Sequence, residues 1–313
     1  MERDVRRHAG YQRFFPEPRV ILTGDSASRA SSFRSGRAET NLDLRWSGHC
    51  CVRMTDSTRK DAGSGVKTEE KKQHFDDIYV EKTPVPFKER IIDSLDYISD
   101  DFNRAMFNRL LHAWVRDKTA GGTPLNYVDL CCCFGNTTLA VVHGMNVADI
   151  RENWKDAEAC KQALKPRRFP ARATGIDISG NALAYAKGEG IFDETIEADL
   201  NAPSPEAREA VAKTMEGADL VVSTASLVYL EPAAIEALID AFARAPRDGY
   251  VLVNFLNPFA LDKADATKRL LLEKLEFVGS MASRHRRLSD LEQENYPGEE
   301  WALLELWVLR RRG

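Results

Sequence analysis

No run of about 18 apolar residues occurs in the chain, so the sequence offers no candidate for an ordinary membrane-spanning helix. The N-terminus lacks the continuous apolar segment of a secretory leader. Positive charge is not in excess: 44 Lys and Arg stand against 48 Asp and Glu, a net charge of −4. That balance removes any global electrostatic case for nucleic acid. Cysteine is sparse, with six residues at Cys50-Cys51, Cys131-Cys132-Cys133 and Cys160. None of these has the C-x-x-C spacing of a zinc site, and neighbouring cysteines rarely bridge each other. A reduced, cytoplasmic protein with no bound metal is therefore expected. The Gly-x-Gly-x-x-Gly turn of nicotinamide-binding enzymes is also missing.

What is present begins with two contrasting halves. Residues 1–53 hold ten arginines and no lysine, with many serines and no helical or strand period. Such a segment cannot bury enough apolar surface to order itself. Residues 1–72 read as a disordered extension or as a mis-assigned start upstream of Met54. An organelle transit peptide is disfavoured by Glu2, Asp4 and Glu17. Order is expected from Gln73. The segment His74–Tyr79 reads as a short amphipathic turn, broken by Pro84 and Pro86. Ile91, Ile92, Leu95, Phe102, Met106, Phe107, Leu110, Leu111 and Trp114 then fall at helical spacing. Two helices parted near Ser99-Asp100 are predicted, with Ser99 as N-cap. Residues 73–122 thus form a helical cap.

From residue 123 the element types alternate strictly. Strands are predicted over Leu125–Leu130, Thr174–Ile178, Thr195–Ala198, Ala218–Ser223 and Tyr250–Phe255. Helices follow them over Asn136–His143, Gly180–Lys187, Pro205–Met215, Pro232–Ala243 and Ala264–Leu275. Two last strands, Phe277–Ala282 and Trp301–Leu309, leave no room for a normal crossover helix and read as an antiparallel hairpin at a sheet edge. The fold class is α/β: a Rossmann-like, seven-stranded, mostly parallel sheet with an antiparallel C-terminal hairpin and an N-terminal helical cap. An insertion at residues 147–170 carries helical spacing over Asp149–Leu164 and is expected to fold over the pocket mouth.

In such sheets ligands bind beyond the carboxyl ends of the strands. There the chain places Cys131–Gly135, then Asp177, Asp199, Ser223–Ser226, Asn254 and Asn257. An acid ending the second strand can accept two hydrogen bonds from a ribose diol, and one ending the third can accept from an adenine amino group. The first turn must let backbone approach the ligand closely, which favours glycine. The cysteine trio reads either as core filling, as a shaper of the ligand site, or as a reactive thiol. Arg284-His285-Arg286-Arg287 reads as a solvated basic loop.

Val128–Gly135, Gly175–Ala186, Ile196–Leu200 and Ala218–Tyr229, taken in order, resemble the motifs of class I S-adenosylmethionine-dependent methyltransferases. The resemblance covers about residues 125–313. It implies S-adenosyl-L-methionine as cofactor and a small-molecule acceptor. It further implies cofactor contacts from Asp129, Cys131, Cys133, Gly135, Asn136, Asp177, Ile178, Asp199, Leu200 and Ser223. Tyr229, Tyr79 and His74 are the candidates for catalytic groups, together with an Asp of the cap as proton acceptor. Cys131 and Cys133 stand where the family has glycine. A left-handed cysteine would cost roughly 1–3 kcal/mol, so a remodelled turn is predicted. The His74-Phe-Asp-Asp-Ile-Tyr79 turn and the Cys-Cys loop also resemble enzymes of this fold that cyclise the aminocarboxypropyl tail to azetidine-2-carboxylate, releasing methylthioadenosine. A non-catalytic binding protein on the same fold is the third expectation. The oligomeric state is left open.

Overall fold

The computed structural model describes residue 73, residues 75–156 and residues 164–312. The expectations for residues 1–72, the start at Met54 among them, and for His74 lie outside the described residues. The cap opens with α1 (Asp76–Tyr79) and α2 (Val85–Phe87), which runs into a π-turn over Lys88–Asp93. It continues through α3 (Ser99–Leu110) and α4 (His112–Thr119). Ser99 is not the N-cap. Ile98 holds that position, and the Ser99 hydroxyl meets His285 Nδ1 at 2.5 Å instead. A buried partner across the fold outcompetes the local amide.

The sheet and its helices then alternate. They are β1 (Leu125–Leu130), α5 (Asn136–Val141), α6 (Val147–Asn153), β2 (Ala171–Asp177), α7 (Gly180–Gly188), β3 (Glu194–Glu197), α8 (Pro205–Gly217) and β4 (Leu220–Ser223). After these come α9 (Pro232–Ala243), β5 (Tyr250–Asn257), α10 (Leu261–Lys274), β6 (Leu275–Arg287), α11 (Asp290–Asn295) and β7 (Trp301–Arg311). The starts are set by local chemistry. Ser179 accepts from the Ala182 amide at 3.2 Å, Ser204 does the same for Ala207 with Pro205 behind it, and Pro232 opens α9. The sequence reading passed over α11, which a Ser289/Glu292 capping box starts inside the polar stretch before the last strand.

The seven strands lie in the order β3-β2-β1-β4-β5-β7-β6. Strands β1 to β5 are parallel, and β7 runs antiparallel between β5 and β6. The fold class expected from sequence is the one observed. Strand order reverses about β1, which pairs with β2 on one side and β4 on the other. That places the crevice for a ligand above the carboxyl ends of β1 and β4. One face of the sheet carries Tyr127, Leu220, Leu252 and Leu304 against the cap, α5 and α7; the other carries Val128, Val221 and Val251 against α8, α9 and α10. With both faces covered, the central strands are almost wholly apolar.

Helix α6 does not cover the crevice as expected. Ile150 and Trp154 are fully buried, and Trp154 packs edge-on against Phe87 at 5.9 Å and Phe134 at 6.4 Å. Arg151 pairs with Asp93 of the π-turn at 2.6 Å. The helix therefore braces the cap from behind, because its apolar face is wide enough to be drawn into the core. Residues 157–163 of the predicted helix lie outside the described residues.

Candidate active site

The carboxyl ends of β1 to β4 and the inner face of the cap enclose a cavity of about 310 Å³. Its floor is the turn after β1. Cys131 has φ 54°, Cys133 φ 51° and Gly135 φ 86°. The turn therefore keeps a glycine backbone while carrying two cysteines, and the predicted remodelling is not found. Three hydrogen bonds hold it: Cys133 N–H donates to Asp177 Oδ2 at 2.8 Å, Cys132 N–H to Ile176 O at 3.2 Å, and Gly135 N–H to Cys132 O at 2.8 Å. Strain of this kind persists only where the surroundings over-determine the conformation. Across the cavity, Ala225 after β4 is also left-handed, at φ 58°.

All three cysteines are among the residues that line the cavity. Burial pushes their pKa values up, that of Cys131 to about 12, with the Asp177 carboxylate adding to the effect at Cys131 and Cys133. Burial in this direction favours the protonated thiol and speaks against the reactive-thiol reading. Cys132 also fills the core, where a Cβ added at Gly175 would lie 2.9 Å from its Sγ. A contrast follows between positions. Replacing Cys131 or Cys133 by Gly is expected to stabilise the fold by up to about 1 kcal/mol, since a left-handed non-glycine residue costs roughly 1–2 kcal/mol and glycine gives back part of that through its unfolded-state entropy. Cys132→Gly is expected to destabilise it by about 2 kcal/mol through lost packing. Urea denaturation of the three variants measures this; equal losses at all three positions would remove the strain argument.

Asp177 and Ile178 form the wall beyond β2. Asp177 is 8% exposed; its Oδ2 accepts from Cys133 N–H and its Oδ1 from Ser179 N–H, each at 2.8 Å. Burial raises its pKa, and the amide hydrogen bonds oppose that shift. A carboxylate offers about four acceptor sites, so these amides leave capacity for a further donor. Beyond β3, Asp199 is exposed at the rim and Leu200 is buried behind it. Asp199 Oδ1 accepts from Asn201 N–H at 2.9 Å, which fixes its direction. Ile178 and Tyr229, 64% and 42% exposed, both line the same cavity. Tyr79 lines the cavity from α1, and Ser179 Oγ donates to its carbonyl. Burial raises the Tyr79 phenol well above its usual pKa.

Asn136 also reaches the wall, whereas Asp129, Gly135 and Ser223 are not among the lining residues. Asp129 is 1% exposed and accepts from the Thr138 hydroxyl at 2.7 Å, tying α5 to β1. Burial pushes its pKa up to about 8. Gly135 serves close packing, since a Cβ there would come 2.8 Å from Ile191 Cγ2. The Ser223 hydroxyl links β4 to β1 through Leu130 O at 3.3 Å. Asn254 reaches the wall only at one remove: it donates to Asn103 Oδ1 at 3.2 Å, and Asn103 donates to Thr224 Oγ1 at 2.9 Å. Asn257 is exposed at the end of β5.

Two wall residues run against the sequence reading. His285 and Arg286 are 6% and 3% exposed and line the cavity from β6, so the basic cluster is a strand with two buried members, while Arg284 and Arg287 stay exposed. The strand is longer than predicted, and its register shifts between Arg284 and Arg286. A bulge of this kind turns two consecutive side chains inward. Arg286 meets Glu292 twice, at 2.7 and 2.8 Å, and lies over the rings of Phe75 and Phe259. Tyr97, a further wall residue that the periodicity marked only by its neighbours, stacks edge-on with His285 at 5.4 Å.

No family model matches the chain, and no curated protein matches it. Among solved structures it is similar to TehB from Haemophilus influenzae, with 15% identity, a TM-score of 0.36, 64% of this chain covered and 62% of that chain. It is also similar to a TehB-like SAM-dependent methyltransferase from Corynebacterium glutamicum, at 15% identity and TM-score 0.34 over 67% of this chain and 97% of that one. A third is magnesium protoporphyrin IX methyltransferase (ChlM) from Synechocystis with bound SAM, at 15% identity and TM-score 0.34 over 65% and 78%. The chain thus spans under two thirds of the Haemophilus protein. Likeness at this level carries no argument about chemistry, which rests on the cavity itself. Among the described residues no group of three or more His, Cys, Asp or Glu is placed to hold a metal ion, and no helix is long and apolar enough to cross a membrane.

Proposed function

We propose that the protein binds S-adenosyl-L-methionine in this cavity and transfers its methyl group to a small acceptor held under the cap. The observation that carries the reading is the left-handed backbone at Cys131, Cys133 and Gly135, fastened to the buried carboxylate of Asp177. A chain that keeps a glycine conformation without glycine is holding that turn for a ligand. Asp177 would take the ribose diol, Asp199 the adenine amino group, and the Ile178 and Tyr229 surfaces the faces of the base. The methionine tail would lie along the cysteine turn. In the transfer, a lone pair of the acceptor forms the bond to the methyl carbon. The carbon–sulfur pair would return to sulfur, and the acceptor's proton would pass to solvent water. A sulfonium is already activated, so the protein supplies position and exclusion of water.

A second reading is favoured by size. About 310 Å³ lies at the low end for a site holding one small ligand, which leaves little room for an acceptor beside the cofactor. In that reading the α-amino nitrogen attacks Cγ of the same molecule, the Cγ–S bond breaks, and methylthioadenosine leaves. Incubating the purified protein with S-adenosylmethionine alone separates the two. Methyl transfer predicts an intact cofactor until an acceptor is added. Methylthioadenosine with a cyclic amino acid would establish cyclisation, and calorimetry showing no binding at all would sink both.

A further inference from the structure

Behind the cavity wall lies a buried carboxylate that the proposed chemistry has not used. Asp100, in the first turn of α3, is fully buried. Asn136 Nδ2 donates to its Oδ2 at 2.9 Å and also meets Tyr97 Oη at 3.2 Å. The hydroxyls of Tyr97 and Thr137 support its charge as well. Asn136, Tyr97 and Thr137 all line the cavity, so Asp100 sits one side chain behind it. Its second oxygen, Oδ1, has no hydrogen-bond partner, and no Lys, Arg or His among the described residues forms an ion pair with it. A buried carboxylate with neutral donors but no cation is costly unless something positive approaches it.

We propose that Asp100 is a specificity-determining residue whose carboxylate is the counter-charge for a cationic ligand, so that the cavity prefers a sulfonium to the neutral thioether left after transfer. This rests on the cofactor assignment above and adds what that assignment lacks, a reason for the product to leave. The wall itself offers little competing positive charge, since Arg286 is neutralised by Glu292. The Asp100 charge reaches the cysteine turn, where it helps to raise the pKa of the Cys133 thiol. Burial lifts Asp100 itself to about 6, and its donors limit that rise, so it is ionised at neutral pH. Asp129 below it, lifted to about 8, is protonated there. The other titratable groups facing Asp100 are Asp101 and Tyr97 from the cap, Tyr127 from β1 and Cys133 from the turn. His285 reaches the same cluster from β6 through Ser99.

The test is calorimetric titration of the full chain with S-adenosylmethionine and, separately, with S-adenosylhomocysteine. Unit charges roughly 10 Å apart at an effective dielectric of about 20 change an affinity by about tenfold. Asp100→Asn is therefore expected to weaken S-adenosylmethionine about tenfold more at pH 7.5 than S-adenosylhomocysteine, because the α-ammonium is common to both ligands and only the sulfonium charge differs. The pH dependence has a definite sign. A bound cation lowers the Asp100 pKa, so the preference is complete above about pH 6 and is lost as pH falls through that value and below. Every group other than Asp100 is common to the two proteins, so the difference between them isolates Asp100. Asn136→Ala provides a second arm should Asp100→Asn fail to fold. Losing the donor raises the Asp100 pKa, and the preference should then disappear at a higher pH than in the wild type. Equal weakening of both ligands, no weakening, or an unmoved pH midpoint in Asn136→Ala would overturn the inference while leaving the cofactor assignment standing. No binding of either ligand to the wild type would remove both.

Discussion

Glu292→Ala is expected to destabilise the protein by about 3–5 kcal/mol, the cost of breaking a buried ion pair and stranding its partner. Glu292 has no exposed side-chain surface and Arg286 only 3%. The two form a paired, bidentate contact at 2.7 and 2.8 Å, the geometry in which guanidinium and carboxylate match best. The same carboxylate accepts from Ser289 N–H at 3.0 Å, closing the capping box of α11, and from Gln73 N–H at 3.2 Å. Removing it would uncap a helix, loosen the segment that leads into Phe75 and Tyr79, and leave a guanidinium between two phenyl rings without a counter-ion. Burial pushes the Glu292 pKa up, but Arg286 outweighs it and holds the value below the ordinary one. For a depressed acid the stabilisation is present above the unfolded pKa and disappears as pH falls through the folded one. Urea midpoints at pH 7 measure the loss, and the gap between wild type and variant should narrow on acidification. A loss under about 1 kcal/mol would mean that the pair is replaceable by packing alone.

Asp177→Ala is expected to lower S-adenosylmethionine affinity at least about 100-fold, since hydrogen bonds to a charged group contribute roughly 1.5–3 kcal/mol each. Two effects combine. The variant would lose the proposed acceptor for the ribose diol, and it releases the Cys133 amide that Asp177 Oδ2 now holds at 2.8 Å. A turn with two left-handed cysteines and one fewer restraint has reason to relax. Asp177→Asn separates the contributions, because its amide oxygen can still take one backbone donor while the charge is gone. Titration calorimetry reads the affinity, and a thermal melt reads whether the turn has loosened. Unchanged affinity in Asp177→Ala would remove the ribose from this strand end and with it the cofactor assignment.

Apart from α11, the order of elements, the direction of each strand and the identity of the strand-end acids were legible in the chain. All of these are short-range matters. Apolar runs, capping serines, prolines at helix starts and acids at strand ends act over a few residues, and parallel pairing follows from the alternation of strand and helix. The cysteine turn was read correctly as the singular feature and incorrectly as a remodelled one. Its conformation is imposed from outside, by an amide bound to Asp177, 44 residues away. No local propensity would choose φ near +50° for cysteine twice in three residues.

The cap side of the cavity could not be read in the same way. Ser99 looked like a helix cap because its nearest amides suit one, but it meets His285 across 186 residues. His285 and Arg286 looked solvated because charged residues in a hairpin usually are; a bulge and a buried Glu292 reverse that. Asp100 looked like an ordinary first-turn acid, and only packing shows that Asn136 binds it and that no cation does. By itself, then, the sequence determined a doubly covered sheet and a strand–turn–helix after its first strand, because those depend on period and on neighbours in the chain. The tertiary structure alone decided which charges are buried, paired or left facing the cavity, because desolvation depends on what the rest of the molecule places around a group.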